Sequence, residues 1–130
     1  MKTFTTFMMA LAFSALTAAA SNQFADIGHE ELKQAIAQKK ITLVDVNGSK
    51  SYNKGHIPGA VDYIANEDQF AAKLPKDKNA LVVAYCGNER CKAYRQAAIK
   101  AQELGYTNVK HYSKGIAGWK GAGEKTEPGA

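Results

Sequence analysis

Charge of one sign is never massed in this sequence: 17 Lys and Arg against 12 Asp and Glu give a net charge of +5, but no run resembles a nucleic-acid-binding arm. Nucleic acid is therefore not an expected partner. The mild positive balance either favours anionic ligands near a site or is an ordinary solvated surface. There is no Gly-rich phosphate loop, no internal repeat and no low-complexity region. Cysteine is scarce: Cys86 and Cys91 are the only two, and they do not form a Cys-X-X-Cys pair. Nor do His56 and His111 stand at a spacing from them that suits zinc, so no metal and no cofactor is expected.

What is present fits one ordinary domain. A chain of 130 residues, 45% of them hydrophobic, has room for a single core. Residues 1–20 read differently from the rest: Lys2 precedes an uncharged stretch through Phe7, Met8, Met9, Leu11, Phe13 and Leu16 that ends in Ala18-Ala19-Ala20. This pattern predicts a secretory signal peptide cleaved near Ala20-Ser21, too short in its apolar part to serve as a spanning helix. No cysteine follows where a lipid anchor would need one, so residues 21–130 are expected as a single domain without a membrane partner, in the bacterial periplasm. In an oxidising compartment, two cysteines raise the question of a disulfide.

Hydrophobic spacing predicts a helix over 30–40, from Leu32, Ala35 and Ile36, and then a buried strand over 41–46 that stops at the turn dipeptide Asn47-Gly48. Gly55-His56-Ile57-Pro58-Gly59-Ala60 reads as an ordered loop before a short strand over 61–64. Asn66 is placed to cap a helix over 67–74, ended by Pro75. A strand over 80–85, a loop over 86–90 and a helix over 91–104 closed by Gly105 come next, then a strand over 107–112. Gly115-Ile116-Ala117-Gly118-Trp119 sets an aromatic among flexible turns, and the tail after Gly121 is expected to fray. Strands alternating with helices at these lengths imply a parallel sheet covered on both faces.

Cys86 closes the strand over 80–85 and precedes a helix, the place where open α/β sheets put their ligands. Backbone N–H groups from Gly87 through Asn88, Glu89, Arg90 and Cys91 to Lys92 are positioned to curl into an anion-binding nest, supported by the helix dipole. Both favour thiolate over thiol. Arg90 is read as an anion-recognising side chain and Lys92, on the first helical turn, as solvated. Such a thiolate attacks a sulfane sulfur, holds it as a persulfide and releases it to a second nucleophile, without a metal or a separate base.

The order Leu43-Val44-Asp45-Val46, Gly55-His56-Ile57-Pro58-Gly59-Ala60, Tyr85-Cys86 with its loop, and Gly115-Ile116-Ala117-Gly118-Trp119 resembles the rhodanese domain over nearly all of residues 21–130. The resemblance implies a five-stranded parallel sheet flanked by helices and persulfide chemistry at Cys86. It further implies sulfur transfer from a small donor such as thiosulfate to cyanide or a cellular thiol; a partner protein is a further acceptor to be expected, and a monomer or weak dimer is the expected state. Asp45 and His56 are then loop-orienting residues. The chain departs from the family pattern at Asn47 and Gly87, where Arg is frequent, at Ser51-Tyr52-Asn53, which lacks an acid, and at Lys114-Gly115, where two glycines are usual.

Other readings stand beside this one. Cys86 and Cys91 could form a purely stabilising disulfide. Within one regular helix, positions five apart lie roughly 8.5 Å apart at Cα, beyond disulfide reach, although a loop would bring them closer. Cys91 is then either a small buried helix residue, the preferred reading, or a resolving thiol. A thiol-disulfide protein using both cysteines and a non-catalytic sulfur-carrier module are the alternative functions. A phosphatase or arsenate reductase is disfavoured, because after five intervening residues Cys86 is followed by Lys92 and not Arg. Tyr94 and Trp119 are expected to be packing residues.

Overall fold

The computed structural model describes residues 23–129, and the expected signal peptide lies outside them. Five strands form one parallel sheet in the order β1-β5-β4-β2-β3: β1 (Ala25–Asp26), β2 (Thr42–Asp45), β3 (Val61–Asp62), β4 (Val82–Tyr85) and β5 (Val109–His111). Helices α1 (His29–Ala37), α2 (Ser49–Lys54), α3 (Phe70–Lys73), α4 (Tyr94–Glu103) and α5 (Gly115–Gly121) fill the connections and follow the last strand. No helix of the described residues is long and apolar enough to cross a membrane.

The central strands β2 and β4 are buried because apolar residues point to both faces, and the period of two sorts them into two cores. Leu43, Val83 and Tyr85 meet Ile27, Leu32, Ile57, Tyr112 and Trp119 on one side. Val44, Val82 and Ala84 meet Phe70, Ala97, Ala98 and Ala101 on the other. The small alanines let α4 lie directly on β4 and β5. This is the α/β architecture, a five-stranded parallel sheet flanked by helices, that the sequence pattern predicts.

Several local expectations are corrected. The strand β1 and the helix α2 fall in segments that read only as polar connections. The helix expected over 67–74 is a 3-10 helix, Ile64–Gln69, running into the single turn of α3, and Asn66 lies inside it. Its start is fastened by Asp62, whose Oδ1 accepts from the amides of Ile64 and Ala65 at 3.1 and 3.3 Å. Residues 115–119 belong to a regular helix and not to flexible turns. The tail is pinned: Trp119 Nε1 donates to the Lys125 carbonyl at 2.8 Å, His56 and Glu127 exchange backbone hydrogen bonds at 2.9 Å, and Glu124 meets Lys33 at 2.9 Å. One helix boundary matters most. The helix after Cys86 begins at Tyr94, so Cys91 and Lys92 belong to the loop and not to the first helical turn.

Candidate active site

At the carboxyl edge of the sheet, Asp45 and Tyr85 are register partners on the neighbouring strands β2 and β4. Asp45 is 1% exposed, and a buried carboxylate needs donors. The Asn47 amide reaches Oδ1 at 2.8 Å and the Tyr85 hydroxyl reaches Oδ2 at 2.6 Å. The same phenolic oxygen accepts from the Ile57 amide at 3.0 Å. Tyr85 thereby ties the ordered loop over 55–60 to the strand that precedes Cys86, and Asp45 on β2 anchors the Tyr85 hydroxyl. Burial pushes the Asp45 carboxyl above its ordinary range, against the lowering pull of these donors. Burial and the neighbouring carboxylate drive the Tyr85 phenol strongly upward, so it remains a donor.

His56 is buried in that loop with its ring stacked on Tyr52 at 3.7 Å between centroids. Its Nδ1 lies 3.0 Å from the Tyr52 carbonyl, to which it donates, and the Tyr52 hydroxyl donates to the Ala60 carbonyl at 2.6 Å. The geometry of both Asp45 and His56 is that of fasteners.

Removing the Tyr85 hydroxyl leaves a buried carboxylate and a buried amide each short of a partner. Tyr85→Phe is expected to cost about 1 to 3 kcal/mol in denaturant-induced unfolding. A raised native pKa at Asp45 also sets the sign of a pH effect. Its contribution is fully present below the unfolded value of 3.8 and is lost as pH rises through the native pKa. Asp45→Asn should flatten that part of the stability profile.

Cys86 is 1% exposed and its sulfur is joined to Cys91. The loop accounts for the pairing. The Asn88 carbonyl accepts from the Cys91 amide at 3.1 Å and Asn88 Oδ1 accepts from the Arg90 amide at 2.9 Å, a turn that folds the chain back. The two Cα atoms stand 6.2 Å apart, closer than a helix would hold them. The expectation of Cys91 as a buried helix residue is thus corrected: it is a half-buried loop residue in a disulfide. The expected nest is corrected in part, since the amides of Arg90 and Cys91 are spent on Asn88. Closing so short a ring contributes at most on the order of 2 kcal/mol through chain entropy.

The other side of the loop is clamped by α5. The Ile116 and Ala117 amides donate to the carbonyls of Cys86 and Gly87, each at 2.9 Å. Gly115 makes this approach possible: it has φ +60°, and a Cβ there would sit 2.6 Å from the Cys86 oxygen and 2.7 Å from the Gly87 carbon. Asn47, two residues beyond β2, flanks the loop, its Oδ1 3.6 Å from where a Gly87 Cβ would be.

An open cleft of about 480 Å³ lies between the loop and α5, lined by Asn88, Glu89, Arg90, Lys114, Ala117 and Gly118. Arg90 and Lys114 bring positive charge to it, with Glu89 as counterweight. Lys92 is exposed and does not line it. Sequence reasoning missed Lys114 because it precedes α5 in the chain and only the fold brings it to the loop. Tyr85 carried a usable signal, since a tyrosine inside a buried strand needs a partner for its hydroxyl.

Comparison with known proteins agrees with this architecture. The family model described as "Rhodanese-like domain" matches residues 28–122. A curated "HTH-type transcriptional regulator Rv0324" of Mycobacterium tuberculosis is 34% identical over 105 residues, covering 80% of this chain but 45% of that protein. The chain therefore corresponds to less than half of that relative. The "Thiosulfate sulfurtransferase GlpE" of Shewanella oneidensis is 28% identical over 100 residues, covering 75% of this chain and 94% of that one. Among solved structures, the 3-mercaptopyruvate sulfotransferase SseA from Escherichia coli superposes with a TM-score of 0.66 at 22% identity, over 83% of this chain and 52% of that chain.

Proposed function

The chain belongs to the rhodanese-like domain family, and we propose that it is a sulfurtransferase in which reduced Cys86 takes a sulfane sulfur from an anionic donor such as thiosulfate. The donor's S–S bond breaks, sulfite leaves, and the persulfide on Cys86 passes its outer sulfur to cyanide, a cellular thiol or a partner protein. The observation that carries this reading is the position of Cys86. It follows β4 at the carboxyl edge of a parallel sheet, with its carbonyl held by α5 and a cleft bearing Arg90 and Lys114 beside its loop. The signal-like residues 1–20 support export to the periplasm as part of the same proposal.

With Cys86 buried in a disulfide, the activity requires prior reduction. Protein reduced and freed of reductant should form thiocyanate from thiosulfate and saturating cyanide, while untreated oxidised protein should not. No thiocyanate from the reduced protein would reject the proposal. The disulfide itself favours a second reading, a thiol-disulfide protein using Cys86 and Cys91, in which reduction and oxidation proceed without any gain of sulfur.

Arg90 and Lys114 serve as donor-attracting charges in this reading. Arg90→Ala and Lys114→Ala are each expected to raise KM for thiosulfate about fivefold with little change in kcat, and the difference should shrink at high salt. Steady-state kinetics at two ionic strengths measures both effects.

A further inference from the structure

We infer that Cys91 is the resolving thiol of a second activity, the reduction of a sulfane sulfur to sulfide at the expense of an external dithiol; this rests on persulfide formation at Cys86. Three observations carry it. The two sulfurs are already bonded, with the Cα atoms 6.2 Å apart. Of the two, Cys86 is fixed: it is buried, and its carbonyl and that of Gly87 are held by the amides of Ile116 and Ala117. Cys91 rides on an exposed turn through Asn88, Glu89 and Arg90 and is half-buried. A fixed sulfur that accepts the cargo and a second sulfur delivered to it by a short loop make the arrangement that resolution needs.

The steps balance. The Cys86 thiolate attacks the outer sulfur of thiosulfate, whose S–S bond breaks as sulfite leaves with the electron pair. Where no acceptor captures the outer sulfur first, the Cys91 thiolate attacks Sγ of Cys86. The Cys86–Cys91 bond forms, the bond from Sγ to the outer sulfur breaks, and that sulfur departs as sulfide and takes up a proton. Two thiols have been oxidised by two electrons and one sulfane sulfur has been reduced. The state seen in the structure is the product of this step. A dithiol reductant then attacks the more accessible Cys91 sulfur and releases Cys86 as thiolate; its second thiol frees Cys91 and leaves the reductant as a disulfide. The sum is thiosulfate plus dithiol giving sulfite, sulfide and oxidised reductant.

Residues outside the pair explain why resolution takes place here. The Asn88 turn directs Cys91 back toward the end of β4, so that the Cys91 thiol is at hand beside Cys86 before an outside acceptor arrives. The Cys91 thiol thus decides between transfer and reduction, and the concentration of acceptor sets the partition.

The test is a single turnover. Wild-type, Cys91→Ser and Cys86→Ser proteins are reduced, freed of reductant, and given one equivalent of thiosulfate with no thiol or cyanide present. Wild-type protein should release close to one equivalent of sulfide and lose two hydrogens in mass. Cys91→Ser should gain one sulfur and release less than a tenth as much sulfide. Sulfide release from Cys91→Ser equal to wild type would overturn the inference, and so would a wild-type protein that keeps its persulfide with Cys91 still open to alkylation. Both results leave persulfide formation intact. Absence of sulfur gain in Cys91→Ser together with absence of sulfide from wild type would reject the sulfurtransferase reading and this inference with it.

Discussion

Cys86→Ser is expected to abolish sulfur loading and to lower thiosulfate:cyanide turnover by more than about 1,000-fold while the protein stays folded. The hydroxyl is a poor nucleophile at neutral pH and cannot store sulfur, and the oxygen fits where the sulfur was. Cys91→Ser should leave the rate of the first loading step unchanged once both proteins have been reduced. It should also remove the dependence on reductant, because the oxidised resting state can no longer form. Equal losses in the two variants would contradict a single nucleophile. Stopped-flow measurement of sulfite release from the pre-reduced proteins separates the cases. Stability gives an independent check on the bland alternative: if the bridge were only structural, its loss would matter chiefly in unfolding, and a ring this short predicts no more than about 2 kcal/mol there.

Gly115→Ala should be the most damaging substitution that leaves every polar group of the site in place. The new methyl group would lie 2.6 Å from the Cys86 carbonyl oxygen and 2.8 Å from that of Gly87, both of them backbone atoms that cannot rotate away. The positive φ adds strain for any residue with a Cβ. Relief requires α5 to back off, which breaks the Ile116 and Ala117 hydrogen bonds to the loop. The expected cost is on the order of 3 kcal/mol in stability, with sulfur loading slowed about 100-fold. Thermal unfolding and single-turnover loading, measured on the same preparation, report the two parts. A variant with normal stability and normal loading would show that α5 does not hold the loop as described.

The parts of the fold that rest on dense apolar patterning were legible in the sequence. The Val82–Tyr85 strand and its neighbour Thr42–Asp45 carry their burial in their composition, and Ala97, Ala98 and Ala101 mark the packed face of α4. Elements made by tertiary contact were not legible. Strand β1 is two exposed residues defined by pairing with β5, and α2 is a short, mostly polar helix between β2 and the 55–60 loop that sets Tyr52 against the core.

The start of α4 was misplaced for a physical reason. Residues 91–93 suit a helix by propensity, but Asn88 takes the Cys91 amide into a turn and the disulfide holds Cys91 back toward Cys86. At the site, the position of Cys86 after a buried strand and the ordered loop around His56 could be read directly. The Tyr85 bridge, the approach of Gly115 and the arrival of Lys114 needed the fold, because each joins residues far apart in the chain.

The most direct test of the account is intact-mass spectrometry of pre-reduced Cys91→Ser protein before and after thiosulfate, with Cys86→Ser alongside. The account predicts a gain of one sulfur atom in the first protein, removed by cyanide with formation of thiocyanate, and no gain in the second. An unchanged mass for Cys91→Ser, or an equal gain in Cys86→Ser, would contradict it.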